Sequence, residues 1–239
     1  MKLFRALIDL IFPPSCLSCG ELIDPKDSFC HVCQSKWKMW LLQRCPKCGH
    51  PAPICSCLPR TRKKKSTDRL AYTFFYDSHN EERIGNRLIY RLKQEHDRRL
   101  LDFLAARMAE SVTSLAYAQG ITLSEYRITY PPRARLSVHI HGFDHTALLA
   151  KALGKKLGVP VIKPFHRKGN RAQKTLTAGD RYKNALQSYH LAENVSLTGK
   201  KILLLDDVIT SGATLTVCEA LLYTAGAEDV LLCALAKDI

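Results

Sequence analysis

Residues Lys201–Thr216, KILLLDDVITSGATLT, decide the reading of this chain. Ile202, Leu203, Leu204 and Leu205 form a short apolar run that closes on Asp206. That is the pattern of a central parallel strand buried on both faces. Two adjacent carboxylates, Asp206 and Asp207, lead into a turn of small and hydroxylated residues: Thr210, Ser211, Gly212, Ala213 and Thr214. Leu215, Val217, Ala220, Leu221 and Leu222 then follow as a helix pattern, closed by Gly226.

The order strand, acidic pair, small-residue loop, helix has a chemical meaning. Backbone N–H groups at a helix N-terminus attract an anion, phosphate above all. Gly212 lets the backbone come close, and the hydroxyls of Thr210, Ser211 and Thr214 add donors. The carboxylates repel a phosphate but suit the 2′ and 3′ hydroxyls of a ribose beside it. The implied ligand is a ribose 5-phosphate, bound at the carboxyl end of the strand. The Gly-Lys-Ser/Thr ending of a Walker loop is absent, and so is a Gly-x-Gly-x-x-Gly turn. The plain alternative is an ordinary acidic turn in a Rossmann-like domain.

Working outward, 239 residues suffice for one or two domains with a real core, at 46% hydrophobic and 24% charged residues. No apolar run reaches the length of a transmembrane helix. Leu3 to Phe12 is interrupted by Arg5 and Asp9, with no small-residue cleavage site before Cys16, and reads as a short amphipathic helix. The formal charge is +14, or about +10 if eight cysteines hold two zinc ions as thiolates. Such a charge suits nucleic acid or an anionic substrate, and equally a generally basic surface.

Eight of the ten cysteines lie between Cys16 and Cys57. Cys16, Cys19, Cys30 and Cys33 form one pair of Cys-x-x-Cys steps; Cys45, Cys48, Cys55 and Cys57 form a second group, which ends in a tighter Cys-x-Cys. Each Cys-x-x-Cys can put two thiolates on one tetrahedral ion, and Gly20 and Gly49 follow at the turns. One or two structural Zn²⁺ ions in a reducing cytoplasm are favoured over disulfides, because no export signal is visible. Two sequential sites are the simpler pairing, and a crossed one stays open. Cys218 and Cys233 read as small buried hydrophobes.

The expected organisation is a zinc-ribbon module with a short N-terminal helix over 1–60, a basic linker over 61–69, and an α/β domain over 70–239. The basic run RTRKKKSTDR is either a solvated linker or a nucleic-acid contact. Strands are expected over 70–76, 127–130, 161–162, 189–191 and 230–235, with helices over 81–94, 100–117, 142–157 and 181–186. Residues 167–180 read as a mobile loop. Alternating strands and helices imply a mainly parallel sheet with helices on both faces.

The stretch with Asp206-Asp207 and Thr210-Ser211-Gly212-Ala213-Thr214 closely resembles the phosphoribosyl-pyrophosphate (PRPP) motif of type I phosphoribosyltransferases. Three further segments extend the resemblance to nearly the whole chain: the paired cysteines, Arg91-Leu92-Lys93 to Asp97-Arg98-Arg99-Leu100, and KGNRAQKTLTAGDRYKN (168–184) with Gln173, Leu176, Thr177, Arg181 and Asn184. Together they are similar to the ComF-type competence family, a double zinc ribbon with an amidophosphoribosyltransferase-like domain. Tyr130-Pro131-Pro132-Arg133 stands where the family usually has Pro-Val-Pro-Leu, and His141-Gly142-Phe143-Asp144-His145 where it usually has Arg-Gly-Phe-Asn-Gln.

The resemblance implies a type I phosphoribosyltransferase fold and a cytoplasmic role in natural transformation, with uptake and handling of imported single-stranded DNA alongside other DNA-uptake or recombination proteins. It implies PRPP carrying Mg²⁺. Thr210 to Thr214 would hold the 5-phosphate and Asp206 and Asp207 the ribose; Arg133, Arg135, Lys174 and Arg181 are candidates for the pyrophosphate and the loop over it. In turnover, pyrophosphate would leave from an anomeric carbon that becomes oxocarbenium-like, with the carboxylates offsetting the positive charge. Outside the cysteine-rich segment no cysteine is paired with a base, so a complete glutamine-using amidotransferase is not expected. The rival reading is a non-catalytic module that binds single-stranded DNA or a partner and uses the phosphoribosyl pocket as a ligand sensor. Trp37, Trp40, Phe74, Phe75 and Tyr76 would then be available to stack bases, unless they pack in the core.

Overall fold

The computed structural model describes residues 13–55, 57, 69–169 and 178–239. The expected N-terminal helix, most of the basic run and Lys174 lie outside those residues. The strands are β1 (Leu70–Tyr76), β2 (Tyr126–Thr129), β3 (Phe165–Arg167), β4 (Tyr189–Leu191), β5 (Lys201–Ile209) and β6 (Asp229–Asp238). The helices are α1 (His31–Leu41), α2 (Ile84–Gln94), α3 (Arg98–Ala118), α4 (Arg135–His141), α5 (His145–Leu157), α6 (Ala178–Ser188) and α7 (Ala213–Thr224).

Four strands form a fully parallel sheet in the order β1-β6-β5-β2. A single parallel bridge from Ile128 to Val161 extends it past β2, where a short strand is expected. β3 and β4 form a separate antiparallel ribbon. The crossover from β2 through α5 runs outward one way, and that from β5 through α7 runs outward the other way. Both are right-handed in a parallel sheet, so α5 and α7 lie on opposite faces. The packing agrees: α3 and α5 pack on each other, while α7 packs on β5, β6 and α6. The expected mainly parallel sheet with helices on both faces is therefore present. β2 and β5 flank the point where the strand order reverses, and an open α/β sheet leaves its ligand crevice there.

Two expectations shift. α4 forms from residues without a clear sequence signal and closes at Gly142 in a left-handed conformation. β5 does not end at its acidic pair but continues to Ile209, because β6 stays paired with it as far as Ile209 opposite Lys237.

The cysteine-rich segment packs directly on the sheet, and its buried residues belong to the same core. Trp37 meets Phe74 edge-on at 5.4 Å between centroids, and Phe29 meets Phe103 at 5.1 Å. Trp37, Trp40, Phe74 and Phe75 are buried here, so their faces pack in the core rather than stack bases. Arg99 of α3 donates to Ser15 O at 3.0 Å and Asp27 O at 2.7 Å. Arg91 of α2 donates to Cys16 O at 3.0 Å and pairs with Glu95 and Asp97. Asp97 in turn caps α3 by accepting from the N–H groups of Arg99 and Leu100.

The closest approach in this interface is at Gly85 on α2, where an added Cβ would fall on Trp40 Nε1 and 3.2 Å from Phe74 Cδ2. Gly85→Ala should destabilise the protein by about 1–3 kcal/mol through overpacking, read as a lowered Tm in a thermal melt. An unchanged Tm would mean that α1 and α2 are not tightly packed in solution.

Candidate functional site

A cleft of about 300 Å³ opens at the carboxyl ends of β2 and β5. Its position follows from the register. β2 pairs with β5 only as far as Thr129 opposite Leu204, so β5 has no neighbour on that side from Leu205 onward. The side chains of Asp206 and Asp207 thus emerge at the mouth of the switch point. The loop from Thr210 to Thr214 and the start of α7 form the floor. Gly212 sits at φ 81° as the N-cap of α7, in the left-handed region that glycine adopts without strain. Ala213 and Thr214 at the start of α7 line the cleft with no acidic residue in the first turn, and the N–H of Ala213 donates to Ser211 Oγ at 3.4 Å.

Because successive strand residues point to opposite faces, the two aspartates have different surroundings. Asp207 turns toward α2 and α5. Its Oδ2 accepts from Lys93 Nζ at 2.9 Å and His145 Nε2 at 2.7 Å, and its Oδ1 from the N–H of Val208 at 2.6 Å. Burial works against its ionisation, but Lys93 and His145 outweigh it and hold the carboxyl well below the usual range. Asp206 turns toward α7; its Oδ1 accepts the N–H of Asp207 at 2.9 Å, and its carboxyl also interacts with the Asp207 side chain. Burial, then the charge of Asp207, pushes its carboxyl well up. The expected pair of like carboxylates is instead one ionised group held by the Lys93 ammonium and the His145 ring, and one group that favours its proton.

The expected basic residues separate. Arg133, just past β2, lines the cleft; its N–H donates to Asp144 Oδ2 at 3.1 Å, and its buried Nη1 has no hydrogen-bond partner. Burial lowers the pKa of that guanidinium. Arg181 on α6 donates to Thr210 Oγ1 at 3.0 Å and so reaches the loop. Arg135 is exposed on α4 and does not line the cleft. Three residues absent from the expected set do line it: Lys93, His145 and Arg167, the last lying over the Tyr189 ring at 5.3 Å. His145 is 3% exposed, and its Nδ1 also lacks a partner. The neighbouring aspartate positions it: Asp144 caps α5 through the N–H groups of Thr146 and Ala147. Lys93 carries one signal in the sequence, its place in the Arg91-Leu92-Lys93 segment.

The cysteines gather as two sequential groups: Cys16, Cys19, Cys30 and Cys33, then Cys45, Cys48, Cys55 and Cys57. All sulfurs of each group lie within 4.8 Å of one another. Cys19 and Cys30 sulfurs are 3.7 Å apart, as are Cys48 and Cys55. Four thiolates about 2.3 Å from one tetrahedral ion would be spaced about 3.8 Å apart, so the donor sets fit Zn²⁺. Burial pushes the Cys45 thiol up, but the N–H groups of Lys47 and Cys48 pull it down to about 6, favouring the thiolate. The tight Cys55-x-Cys57 step has its own support. Lys237 on β6, 6% exposed, lies 3.4 Å from Cys55 Sγ and donates to Cys57 O at 2.7 Å, next to a bond from Tyr72 OH at 3.1 Å. A buried cation there offsets the charge of a four-thiolate site.

The unequal aspartates give a signed expectation. Asp207 stabilises the fold above its unfolded pKa of about 3.9, and that contribution is lost as pH falls below it. Asp206 favours the fold when protonated and opposes it as pH rises. Asp207→Asn should therefore lower stability at neutral pH by about 1–3 kcal/mol, below the roughly 3–5 kcal/mol of a fully buried broken pair because Lys93 is partly exposed. Asp206→Asn should leave Tm unchanged or raised at neutral pH. Thermal melts of both variants from pH 4 to 8 check the asymmetry, and equal losses would contradict it.

Comparison with known proteins agrees with these features. Residues 7–64 match the double zinc ribbon domain family. The chain is 28% identical to Competence protein F of Haemophilus influenzae over 240 residues, covering 93% of this chain and 96% of that protein. It is 25% identical to Competence protein ComFC of Bacillus subtilis over 203 residues, covering 81% of this chain and 77% of that one. A purine phosphoribosyltransferase from Pyrococcus horikoshii overlaps 57% of this chain and 73% of its own at TM-score 0.36 and 16% identity. A hypoxanthine-guanine phosphoribosyltransferase from Bacillus anthracis overlaps 57% and 68% at TM-score 0.38 and 14% identity. Those two overlaps are too loose to add to the fold, which rests on strand order and register. With its two four-cysteine clusters ahead of a parallel sheet that carries the Asp-Asp-to-Thr loop, the chain is similar to ComF-type competence proteins over most of its length.

Proposed function

We propose that the protein binds PRPP, or a related ribose 5-phosphate, in the cleft and serves natural transformation. The observation that carries this reading is the conjunction at the switch point of an open helix N-terminus with cationic side chains. The N–H groups at Ala213 and Thr214 and the hydroxyls of Thr210 and Ser211 would hold the 5-phosphate. Asp206, which favours its proton, and Asp207 would face the ribose hydroxyls. Arg133, with its buried Nη1 unpartnered, would take the pyrophosphate, and Arg181, bonded to Thr210, would steady the loop. In turnover, the anomeric C–O bond would break with its electron pair leaving on pyrophosphate, Asp207 would stabilise the oxocarbenium-like ring, and a nitrogen or hydroxyl nucleophile of the acceptor would form the new bond to that carbon and give up its proton. Mg²⁺ would travel with the ligand's phosphates.

The role in competence, in a reducing cytoplasm, comes from the names of the two relatives and from the thiolate clusters. Handling of single-stranded DNA has its own support on the cysteine-rich segment. From residue 31 to 55 there is no Asp or Glu, while Lys36, Lys38, Arg44 and Lys47 are all exposed. Among the described residues no helix is long and apolar enough to cross a membrane.

Calorimetry of PRPP with the wild type and the Asp206→Asn/Asp207→Asn double variant, with folding checked by circular dichroism, tests the reading. Binding by the wild type and a loss of at least about tenfold in the folded variant is expected. Equal affinity in both would remove the cleft from the account. Single-stranded DNA should bind both proteins alike and weaken steeply with salt, since its contacts lie on the basic segment. DNA binding without any PRPP binding would favour the module that uses no phosphoribosyl ligand.

A further inference from the structure

Lys237 reaches the second cysteine cluster from the far end of the chain. It lies on β6, opposite Ile209 of β5 and Phe75 of β1, and is buried. Its Nζ donates to Cys55 Sγ at 3.4 Å and to Cys57 O at 2.7 Å, and stands 5.2 Å from the centre of the Tyr72 ring. Tyr72, on β1, donates its hydroxyl to Cys57 O at 3.1 Å. The half of the cluster formed by Cys55 and Cys57 is therefore seated on two strands of the sheet. The first cluster is tied down differently. Arg91 and Arg99 bond the carbonyl oxygens of Cys16, Ser15 and Asp27, so their charges fix the backbone and not a sulfur.

We infer that the two metal sites are unequal, and that Lys237 is a positioning residue of the second: the last strand of the sheet supplies a hydrogen bond that retains zinc at a cysteine 182 residues earlier. The need for it follows from the spacing. In the Cys45-x-x-Cys48 step the N–H groups of Lys47 and Cys48 both serve the Cys45 sulfur. The tighter Cys55-x-Cys57 step brings the N–H of Cys57 to Cys55, and Lys237 adds a second donor. Four thiolates around Zn²⁺ carry a net charge of about −2, which is costly to bury, and an ammonium against one sulfur offsets part of it. The N–H···S bond also draws electron density from Cys55 Sγ, leaving that sulfur a weaker nucleophile while it stays a ligand. The second site thus belongs to the sheet as much as to the ribbon, whatever the cleft binds.

The test follows zinc release from the full-length, zinc-loaded protein under N-ethylmaleimide. A chromogenic chelator reports free zinc, and mass spectrometry reports which cysteines are alkylated. In the wild type the first cluster, which also holds the exposed Cys19, should be modified and lose its zinc before the second. Lys237→Met keeps the apolar stem and removes the donor. Its second cluster should lose zinc about tenfold faster or more, with release from the first unchanged. Cobalt gives a readout that packing alone does not move. In the Co²⁺-substituted variant, the sulfur-to-cobalt charge-transfer band of one ion should shift to lower energy, because a thiolate without its hydrogen bond gives up an electron more easily. A thermal melt verifies folding, and Lys237→Gln, which removes the charge, takes the place of a Lys237→Met that fails to fold. Second-cluster zinc leaving first from the wild type would overturn the inference. So would equal second-cluster rates in wild type and variant, faster release from both clusters alike, or an unmoved cobalt band.

Discussion

A carboxylate near the end of a strand buried on both faces stays ionised only if a cation or hydrogen-bond donors come to it, and Asp207 is that carboxylate. Lys93 from α2 and His145 from α5 converge on one of its oxygens. These helices come from different parts of the chain, α2 following β1 and α5 following β2. Their meeting at β5 fixes the wall of the cleft. The stretch that supplies Lys93 also binds the cysteine-rich segment: Arg91 holds Cys16 O, and Arg99 holds Ser15 O and Asp27 O. One short helix pair therefore connects the first cysteine cluster to the cleft, which gives a physical reason for its dense basic residues.

The second cluster is joined from the other edge. Lys237 lies near the end of β6, with Cys55 and Cys57 O on one side and the Tyr72 ring at 5.2 Å. A buried lysine on a sheet strand would be costly alone, but thiolates and a carbonyl give it partners. The ribbons are thus held to the sheet both by aromatic packing through Trp37 and Phe74 and by charge. Gly85 permits the closest part of that contact, where Trp40 lies against α2.

The sequence was most legible where structure is local. The β5-turn-α7 unit carries its strand, its small-residue turn and its helix within two dozen residues, and all three are present in the expected order. The sequential grouping of the eight cysteines, the simpler of the two pairings that spacing left open, is the one present. What escaped depends on distant pairing. The strand was expected to stop at its carboxylates, and only the register with β6 keeps them on the ladder and sends them to opposite faces. Lys93 and His145 gain their roles from Asp207, more than sixty residues away at the nearer of the two. Lys237 lies 180 residues from the cysteine whose carbonyl it bonds, and no local pattern marks a lysine for burial. Arg135 failed to reach the cleft because the backbone after Pro131-Pro132 turns into α4 and carries it to the surface.

The central claim is that the crevice between β2 and β5 holds a phosphoribosyl ligand. Hydrogen–deuterium exchange with and without PRPP tests it most directly, because it reports on each amide rather than on the whole chain. The account predicts slowed exchange at the amides from Val208 to Thr216 and at Arg133, with the ribbon amides unchanged. Unchanged exchange in the loop, or protection confined to the cysteine-rich segment, would contradict it.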